Sequence, residues 1–570
     1  MKKPLRFSVN SQRVASDTEG LVHSTSRRRF LRSSVIAAVG GAASLSVADQ
    51  LLRGVAGAQP QIGKISIDVG DTLGEINRNI YGHMLESVGR ALYDGVWVGE
   101  GSAVPNDKGF RKDAIAAFQR LRAPVVRWPG GCFADTYHWQ DGIGPKEKRP
   151  RRWNHWWEQY ETNAVGTDEF AYYCRQLKTE PYFSINVGTG DVKEALAWVE
   201  YCNSEKDTDL TRMRKANGSS TPYGVRYWGI GNETWGCGGL YDPEDYGQEY
   251  LRYAMFLKHW LWPSKGISNV PLELIAAGHT APDWNQKFLN KVRNWPNLVD
   301  HLSIHHYYRT YPNQPLDTPP GGIPKAGDIQ FTDNEYYLLV SRVDEMKRYI
   351  QEAVDVIDYY SAGRKKIGLI VDEWGTWHPQ ATFETGFYQQ STLRDAIIAG
   401  STFNLFNSRC REITMANVSQ AFNVLQAIAL TNGPKMILTP TFHVMDMYKG
   451  HQGAKLVRSR VETPTYEFEE GGRKRSRDAV NISASMVGSR VLLTAVNEDL
   501  TRDLEFDVRL SGGQVRRVTG LRLWSADVRD HNTFDAPERM TPSAAKIDLK
   551  GNELRIQLPA HSISSFELEL

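Results

Sequence analysis

Apolar residues recur along the chain in two patterns, short continuous runs and longer stretches of helical period. From Ile80 onward, runs of strand length alternate with segments whose apolar residues fall at helical spacing. Continuous apolar runs are typical of parallel strands that are covered on both faces. The pattern therefore predicts an α/β fold, a (β/α)8 TIM barrel. The predicted strands are 80–86, 124–130, 181–188, 225–233, 272–279, 300–308, 366–373 and 412–418, and examples of predicted helices are 112–121, 169–177, 192–201 and 389–399.

The pattern changes after about Pro434. Residues 454–570 show short alternating runs separated by turn residues, which predicts an antiparallel β-sandwich or jelly roll. The alternating run 64–69 precedes the barrel, and we expect it to join this C-terminal sheet. Charged residues 469–475 are interpreted as a solvated hairpin tip, and 313–330 as a long Pro- and Gly-rich loop over the barrel mouth. The predicted organisation is 1–58 signal segment, 59–75 strand joining the sandwich, 76–435 catalytic barrel and 436–570 β-sandwich domain.

The N-terminal segment has the order of parts of an export signal. Residues 26–32, Ser-Arg-Arg-Arg-Phe-Leu-Arg, resemble the twin-arginine motif, and a mildly apolar stretch follows at 35–55. Ala-Gly-Ala at 56–58 provides a cleavage site. Asp49 and Arg53 interrupt the apolar stretch, so we expect no stable membrane span. The alternative is a disordered basic tail. The prediction is a periplasmic or secreted protein.

Composition excludes several classes of function. The formal net charge of +2 provides no basic field for binding nucleic acid. The five cysteines are not arranged as CxxC pairs, and no HExxH motif accompanies the histidines. We therefore predict no metal site and no cofactor. The 16 tryptophans and 25 tyrosines suit sugar stacking as well as core packing, so they decide nothing alone.

Two long apolar runs among the predicted strands, 225–233 and 366–373, each end in a glutamate. Residues 225–233 end in Gly-Asn-Glu233, and residues 366–373 end in Asp-Glu373. An unpaired buried carboxylate is costly, but the carboxyl end of a barrel strand faces the active-site mouth. Two such carboxylates are the machinery of a glycosidase. The alternative is a pair of salt-bridged core glutamates.

Several separated motifs, standing in one order, resemble the α-L-arabinofuranosidases of glycoside hydrolase family 51. The resemblance covers about residues 62–570. Its motifs are IYGHMLE (80–86), RWPGG (127–131), WQDGIGP (139–145), GNE (231–233), HHY (305–307), DEW (372–374) and MANVSQ (415–420).

The resemblance implies a role for each matching residue. Glu233 would be the general acid/base and Glu373 the nucleophile. Asn232 would hold the sugar 2-hydroxyl, and Arg127 would support the nucleophile. Structural alternatives remain open: Asn232 as a helix cap, Tyr307 as a core residue, and Glu86 as an ion-pair partner. The residues implied at the substrate site are Glu86, Arg127, Cys132, Asn232, His305, Tyr307, Trp374 and Gln420.

The chain departs from the family pattern at Cys132. The better-known pattern has an Asn there that contacts the sugar, and a thiol is a weaker donor and acceptor. This departure bears on the exact substrate and leaves the chemistry intact. Cys237 follows Glu233 by four residues, so the two cysteines are either neighbours that form a disulfide or two separate thiols.

The resemblance implies a retaining exo-glycosidase that acts on arabinose-containing oligosaccharides or polysaccharides. Rival interpretations are a β-xylosidase or endo-β-glucanase on the same scaffold, a non-catalytic sugar-binding protein, and a metal hydrolase. The shape that separates exo from endo action is expected to depend on loop 313–330 and on Trp153, Trp156 and Trp157. Family members are often oligomeric, and a homo-oligomer is one expectation.

Overall fold

The computed structural model describes residues 62–258, 266–310, 327–551 and 553–570. The predicted signal segment 1–58 lies outside the described residues, as does most of the predicted loop 313–330. Among the described residues, no helix is long and apolar enough to cross a membrane.

The described strands and helices alternate through the first two thirds of the chain. The strands are β1 (Gly63–Glu75), β2 (Gly82–Met84), β3 (Asn106–Asp107), β4 (Phe110–Arg111), β5 (Val125–Trp128), β6 (Arg152–Asn154), β7 (Gln159–Glu161), β8 (Glu180–Ile185), β9 (Tyr227–Ile230), β10 (Glu273–Ala277), β11 (His301–Tyr308), β12 (Gly368–Thr376), β13 (Ile413–Val418), β14 (Ala429–Asn432), β15 (Lys435–Leu438), β16 (Lys455–Glu462), β17 (Thr465–Glu470), β18 (Arg473–Asp478), β19 (Val480–Val487), β20 (Arg490–Asn497), β21 (Leu504–Ser511), β22 (Arg517–Leu523), β23 (Ser543–Ala544), β24 (Ile547–Lys550), β25 (Glu553–Leu558) and β26 (Ser562–Glu569). The helices are α1 (Lys112–Leu121), α2 (Thr167–Leu177), α3 (Val192–Asn203), α4 (Asp209–Ala216), α5 (Pro243–Lys258), α6 (Pro282–Val292), α7 (Asp333–Ser341), α8 (Val343–Ser361), α9 (Leu393–Ser408) and α10 (Pro440–Tyr448).

Eight parallel strands close into a barrel in the order β2, β5, β8, β9, β10, β11, β12 and β13. The order in space follows the order in sequence, because each connection carries one or two helices back to the start of the next strand. The prediction of a TIM barrel is confirmed, and each of the eight predicted runs overlaps one barrel strand. Helix α1 has the predicted bounds, whereas α9 begins at Leu393, later than the predicted 389.

The inside of the barrel is a packed layer of side chains. Residues from six barrel strands form one buried cluster. A larger core lies outside the strands, where the helices cover them. The inner layer closes the lower part of the barrel, so polar side chains have room to converge only above it, at the carboxyl ends of the strands. The inner cluster contains Val125, Tyr182, Tyr227, Ile275, Ile370 and Met415.

The C-terminal strands form a β-sandwich that includes the first described strand of the chain. The hydrogen-bonded order is β23, β22, β26, β20, β19, β16, β1, β21, β25 and β24. Strand β1 pairs antiparallel with β16 and parallel with β21, which confirms that the run 64–69 joins this sheet. Strands on both sides of β1 contribute side chains to one core. Examples are Val491 of β20 and Phe566 of β26 on one side, and Phe506 of β21 and Ile556 of β25 on the other.

A buried polar group joins the barrel to the sandwich. Helix α9 packs against β19, β20 and β26. From this helix Ser401 donates to Glu498 Oε1 at 2.8 Å, and Arg477 Nε lies 3.3 Å from Glu498 Oε2. The predicted hairpin tip 469–475 is confirmed as the exposed turn between β17 and β18.

Candidate active site

Strand β12 brings two consecutive carboxylates to the barrel mouth because it contains a β-bulge. The register between β11 and β12 shifts just before His305, which pairs with Glu373 and leaves Asp372 as the extra residue. Regular alternation would turn Asp372 and Glu373 to opposite faces of the sheet. Instead, Arg127 Nε lies 3.3 Å from Asp372 Oδ2 and its Nη1 lies 2.6 Å from Glu373 Oε1.

Three side chains stabilise the charged form of Glu373. Arg127 makes the ion pair just described, Tyr307 Oη donates to Glu373 Oε2 at 2.6 Å, and His305 Nδ1 lies 3.6 Å from Oε1. Burial alone would raise the pKa of this carboxyl group. The charges of His305 and Arg127 and the Tyr307 hydrogen bond outweigh burial and lower the pKa of Glu373. Glu373 is therefore ionised at neutral pH.

Arg127 is the buried link between the two halves of the site. Its Nη2 donates to Asn232 Oδ1 at 2.5 Å, and the side chain is 1% exposed. Burial would lower the pKa of this guanidinium, but the charges of Asp372 and Glu373 outweigh burial and raise it. Arg127 fixes Asn232 and Glu373 relative to each other. It engages only the oxygen of the Asn232 amide, so Asn232 Nδ2 makes no contact with Arg127.

Glu233 lies in the turn after β9, in a backbone conformation that few residues other than glycine adopt. Its φ is 39°, and that of Gly231 is 81°. The turn places the carboxylate opposite β11, where His305 Nδ1 lies 2.9 Å from Glu233 Oε1. One oxygen of Glu233, one oxygen of Glu373 and one nitrogen of His305 all lie within 4.8 Å of one another. Two carboxylates that are 140 residues apart in sequence thus face a common space.

His305 carries a positive charge between these carboxylates. Burial would lower the pKa of the imidazole, but Glu373, Asp372 and Glu233 outweigh burial and raise it to about 10. At neutral pH both ring nitrogens are therefore protonated and both are donors. The Nδ1 proton points to Glu233, so the His305–Glu233 pair holds a proton at the mouth of the site.

Glu86 forms the floor of the site and accepts three hydrogen bonds. The donors are the backbone N–H of Phe133 at 3.1 Å, Trp157 Nε1 at 2.7 Å and Gln420 Nε2 at 3.1 Å. Burial, with a further contribution from the charge of Glu373, raises the pKa of Glu86 to about 7. This carboxyl group can change its charge near neutral pH while its neighbours hold it in place.

Gly131 keeps the space between the two buried carboxylates open. A Cβ at this position would lie 2.9 Å from Glu86 Oε2 and 3.3 Å from Glu373 Oε1. The first distance is shorter than real Cβ contacts, so any other residue would displace Glu86.

Cys132 and Cys237 form a disulfide bond with their Cα atoms 5.6 Å apart. The bond joins the turn after β5 to the turn after β9. Cys237 Sγ lies 3.8 Å from Glu233 Oε2 and 3.7 Å from Asn232 Nδ2. The sequence left open whether the two cysteines pair, and the structure shows that they do. Of the two alternatives the structure has the disulfide, and a disulfide sulfur at Cys132 has no proton to donate to a sugar.

These side chains enclose a cavity of about 420 Å³ at the carboxyl ends of the strands. Its lining combines polar side chains with aromatic and aliphatic ones. This combination suits a sugar, which presents hydroxyl groups and an apolar ring face. The polar residues include Glu86, Asn232, Glu233, His305, Tyr307, Glu373 and Gln420, and the apolar ones include Val88, Trp157, Trp377, Phe387 and Leu425.

Comparison with known proteins decides the family. Residues 117–317 match the family model described as alpha-L-arabinofuranosidase 1 domain, and residues 372–562 match the alpha-L-arabinofuranosidase C-terminal domain. An intracellular exo-α-L-arabinofuranosidase of Bacteroides ovatus is 36% identical over 502 residues, which cover 87% of this chain and 93% of that relative. The GH51 arabinofuranosidase from Xanthomonas axonopodis pv. citri has a TM-score of 0.80 at 34% identity and covers 89% of this chain and 100% of its own. The chain belongs to the α-L-arabinofuranosidases of glycoside hydrolase family 51.

A second solved member supports the assignment. The α-L-arabinofuranosidase from Thermotoga maritima, solved as an arabinose complex, has a TM-score of 0.78 at 31% identity and covers 89% of this chain and 100% of its own. The resemblance seen in the sequence is thereby confirmed for both domains.

Two residues of this family 51 chain that the sequence assigned to the substrate site, Trp374 and Arg127, do not line the catalytic cavity. Trp374 is fully buried, with its ring 5.1 Å from that of Phe403 and 5.6 Å from that of Phe406 on α9. The assignment of Trp374 to the substrate site was wrong, because strand alternation after Glu373 turns the next side chain outward. Arg127 lies behind Glu373 and Asn232 and acts through them.

The structure brings together the other residues implied by the family resemblance. Glu86, Cys132, Asn232, His305, Tyr307 and Gln420 line one cavity with Glu233 and Glu373. Of the three tryptophans expected to shape its entrance, Trp157 lines this cavity and Trp153 lines a neighbouring one.

Sequence reasoning missed several functional contacts of the family 51 site. The sequence assigned Asp372 no role of its own, because period-two alternation predicts that its side chain and that of Glu373 point to opposite faces of the sheet. Ser419, whose Oγ lies 2.9 Å from Tyr307 Oη, had no signal beyond its place before Gln420. Trp377 and Phe387 follow β12 in an irregular segment, where periodicity gives no direction.

We expect Tyr307→Phe to weaken the nucleophile and to shift the acid side of the pH profile. Loss of the Tyr307 hydrogen bond removes a group that lowers the pKa of Glu373, so Glu373 protonates at higher pH. The acid limb of kcat/KM should move upward in pH, and kcat/KM at neutral pH should fall roughly tenfold or more.

The matched control is Tyr308→Phe. Its hydroxyl contacts Thr402 on the outer side of the same strand. Steady-state kinetics from acid to neutral pH should show the shift in the first variant alone. An identical acid limb in wild type and Tyr307→Phe would contradict the assignment.

Proposed function

We propose that this protein is an exported, retaining exo-α-L-arabinofuranosidase that releases terminal α-L-arabinofuranosyl residues from plant polysaccharides or oligosaccharides. The observation that carries the proposal is the convergence of Glu233 and Glu373, whose nearest oxygens lie within 4.8 Å across His305. Retaining enzymes hold their two carboxyl groups about 5–5.5 Å apart, and inverting enzymes about 6.5–9.5 Å. The short separation favours double displacement with net retention.

In the first step Glu373 acts as the nucleophile. A Glu373 oxygen attacks the anomeric carbon while the bond from that carbon to the leaving oxygen breaks. The leaving oxygen takes a proton from Glu233, whose carboxyl group faces the same space. Arg127 and Tyr307 hold Glu373 ionised for the attack, and the product is a glycosyl ester on Glu373.

The proton for this step is held by the Glu233–His305 pair. Protonated His305 donates from Nδ1 to Glu233 Oε1 across 2.9 Å and can pass this proton to Glu233. In the second step Glu233, now without its proton, takes one from water. That water attacks the anomeric carbon, the ester bond to Glu373 breaks, and the sugar leaves with its original configuration.

The floor of the cavity supports exo action on a five-membered sugar. Gln420 and Trp157 both donate to Glu86, and these three residues line the catalytic cavity together with Glu233. Asn232 has its oxygen occupied by Arg127, which leaves Nδ2 as the donor for a sugar 2-hydroxyl. The Bacteroides ovatus relative is likewise named as an exo-acting enzyme.

A β-xylosidase or endo-β-glucanase built on the same scaffold is the rival interpretation. A panel of aryl α-L-arabinofuranoside, β-xyloside and β-glucoside separates these activities. The proposal expects turnover of the first substrate with kcat/KM far above the other two, and a preference for either of the others would overturn it.

We expect the two glutamates to respond differently to truncation. Glu373→Ala should lower kcat on every substrate by roughly ten-thousandfold or more, because it removes the nucleophile. Glu233→Ala should cost about 10²- to 10⁴-fold on substrates with poor leaving groups and much less on activated aryl glycosides, which need little protonation.

Stopped assays on alkyl and nitrophenyl arabinofuranosides measure this difference. Equal losses on the two substrate types in Glu233→Ala would contradict its role as the acid. Substantial turnover by Glu373→Ala would contradict its role as the nucleophile.

Export is the second component of the proposal. The twin-arginine pattern at 26–32 motivates it, and the Cys132–Cys237 disulfide supports it, because cytosolic thiols are generally kept reduced. The Bacteroides ovatus relative is named as intracellular, so the compartment of this chain needs its own test.

We expect Arg27→Lys/Arg28→Lys to keep the full-length precursor inside the cell. A twin-arginine signal depends on the arginine pair, so a charge-conserving change should block export. Arg6→Lys/Arg13→Lys, upstream of the motif, is the matched control and should leave export intact. Immunoblots of cell fractions measure the outcome.

Thiol titration in denaturant adds a second measurement. The exported protein should show three thiols, those of Cys174, Cys202 and Cys410. Wild-type protein found only in the cytoplasmic fraction, or an unchanged distribution after the paired Lys substitution, would contradict twin-arginine export.

A further inference from the structure

A second cavity of about 240 Å³ adjoins the catalytic one. Its floor is buried and polar, and its rim carries hydroxyl, imidazole and indole groups. The floor residues are Phe133, Tyr137, Asn154, Glu161 and Asn163, and the rim includes Thr136, His138, Asp141, Arg152, Trp153 and His155.

One layer of residues separates the two cavities. Phe133 lines the second cavity while its backbone N–H donates to Glu86 on the catalytic floor. Asn154 also lines the second cavity, and its Oδ1 accepts from the backbone N–H of Trp157, which lines the first. A ligand longer than one sugar can therefore contact both.

A single hairpin supplies aromatic rings to both cavities. Strands β6 and β7 pair Trp153 with Tyr160, and the turn between them carries Trp157. Trp153 and Trp157 are four residues apart, so their Cα atoms are separated by at most about 14 Å. That distance corresponds to a few sugar units along a chain.

Trp153 is exposed to an extent unusual for a large aromatic residue. It is 53% exposed and Tyr160 is 56% exposed, and their rings meet edge to face with centroids 5.0 Å apart. The guanidinium of Arg151 lies 3.6 Å from the centroid of Tyr160. These contacts hold the aromatic pair in place while leaving ring surface available for stacking.

The second cavity suits a neutral ligand rich in hydroxyl groups. The rim guanidinium is neutralised, because Arg152 Nε lies 2.8 Å from Asp141 Oδ2, and the ring of His138 is hydrogen-bonded through Nδ1 to Glu194 Oε1 at 3.1 Å. Two floor residues, Tyr137 and Asn163, each have a buried side-chain oxygen with no hydrogen-bond partner in the described part of the chain. The floor of the cavity therefore retains unsatisfied hydrogen-bonding groups.

We propose that this second cavity is a subsite for the main chain of a neutral polysaccharide that carries arabinofuranosyl branches, with Trp153 as its stacking platform. The proposal rests on the proposed arabinofuranosidase function and specifies its substrate class. The branch enters the catalytic cavity and is cleaved there. The main chain lies across the hairpin and against Trp153.

The test compares kcat/KM on arabinoxylan with kcat/KM on 4-nitrophenyl α-L-arabinofuranoside. The aryl glycoside is too short to reach Trp153, so the ratio of the two values isolates the subsite. In Trp153→Ala the ratio of polymer to aryl glycoside should fall roughly five- to tenfold, the loss expected for one stacking contact. Trp153→Phe should restore most of the ratio, because it keeps an aromatic ring.

Trp524→Ala is the matched control. Trp524 is an exposed tryptophan that follows β22 in the C-terminal sheet, and its removal should leave the ratio at the wild-type value. An unchanged ratio in Trp153→Ala, or a Phe variant no better than Ala, would overturn the subsite. Wild-type protein without activity on the aryl glycoside would instead overturn the proposed function itself.

Discussion

The site depends on the compensation of buried charge around Arg127. Asp372 and Glu373 are nearly inaccessible to solvent, and an ionised carboxylate buried without a partner costs several kcal/mol. Arg127 reaches both carboxylates and also Asn232. His305, cationic at neutral pH, contributes the second positive charge between Glu373 and Glu233. Removing one member leaves a buried charge uncompensated, at a cost of about 3–5 kcal/mol, so the group functions only as a unit.

The fold supplies each member of this group by a different local device. A β-bulge turns both Asp372 and Glu373 toward Arg127. A left-handed turn after β9 directs Glu233 back over the barrel mouth, and the Cys132–Cys237 disulfide ties that turn to the end of β5. Gly131 has no side chain, which leaves open the space between the carboxylates of Glu86 and Glu373. The barrel provides a rigid ring of strand ends, and these irregularities direct the side chains.

The regular part of this architecture could be predicted from the sequence, and the irregular part could not. Continuous apolar runs identified every barrel strand, and alternating runs identified the sandwich and strand β1. Period-two alternation gives no warning of the bulge at Asp372, so it could not show that Asp372 and Glu373 both reach Arg127. Pairing of Cys132 with Cys237 depends on the distance between two turns, which their spacing of 105 residues does not determine. The second cavity was not foreseen, because Trp153 and Asn163 come together through the hairpin fold.

The most direct test of the central claim is to trap the glycosyl-enzyme. The protein is treated with an activated 2-deoxy-2-fluoro-arabinofuranosyl donor, whose fluorine slows the second step, and is then digested and mapped by mass spectrometry. The account predicts one added sugar on the peptide that contains Glu373, and NMR of a natural cleavage should show the retained anomer as the first product. A sugar attached to Glu233 or Glu86, or an inverted first product with no adduct, would contradict it.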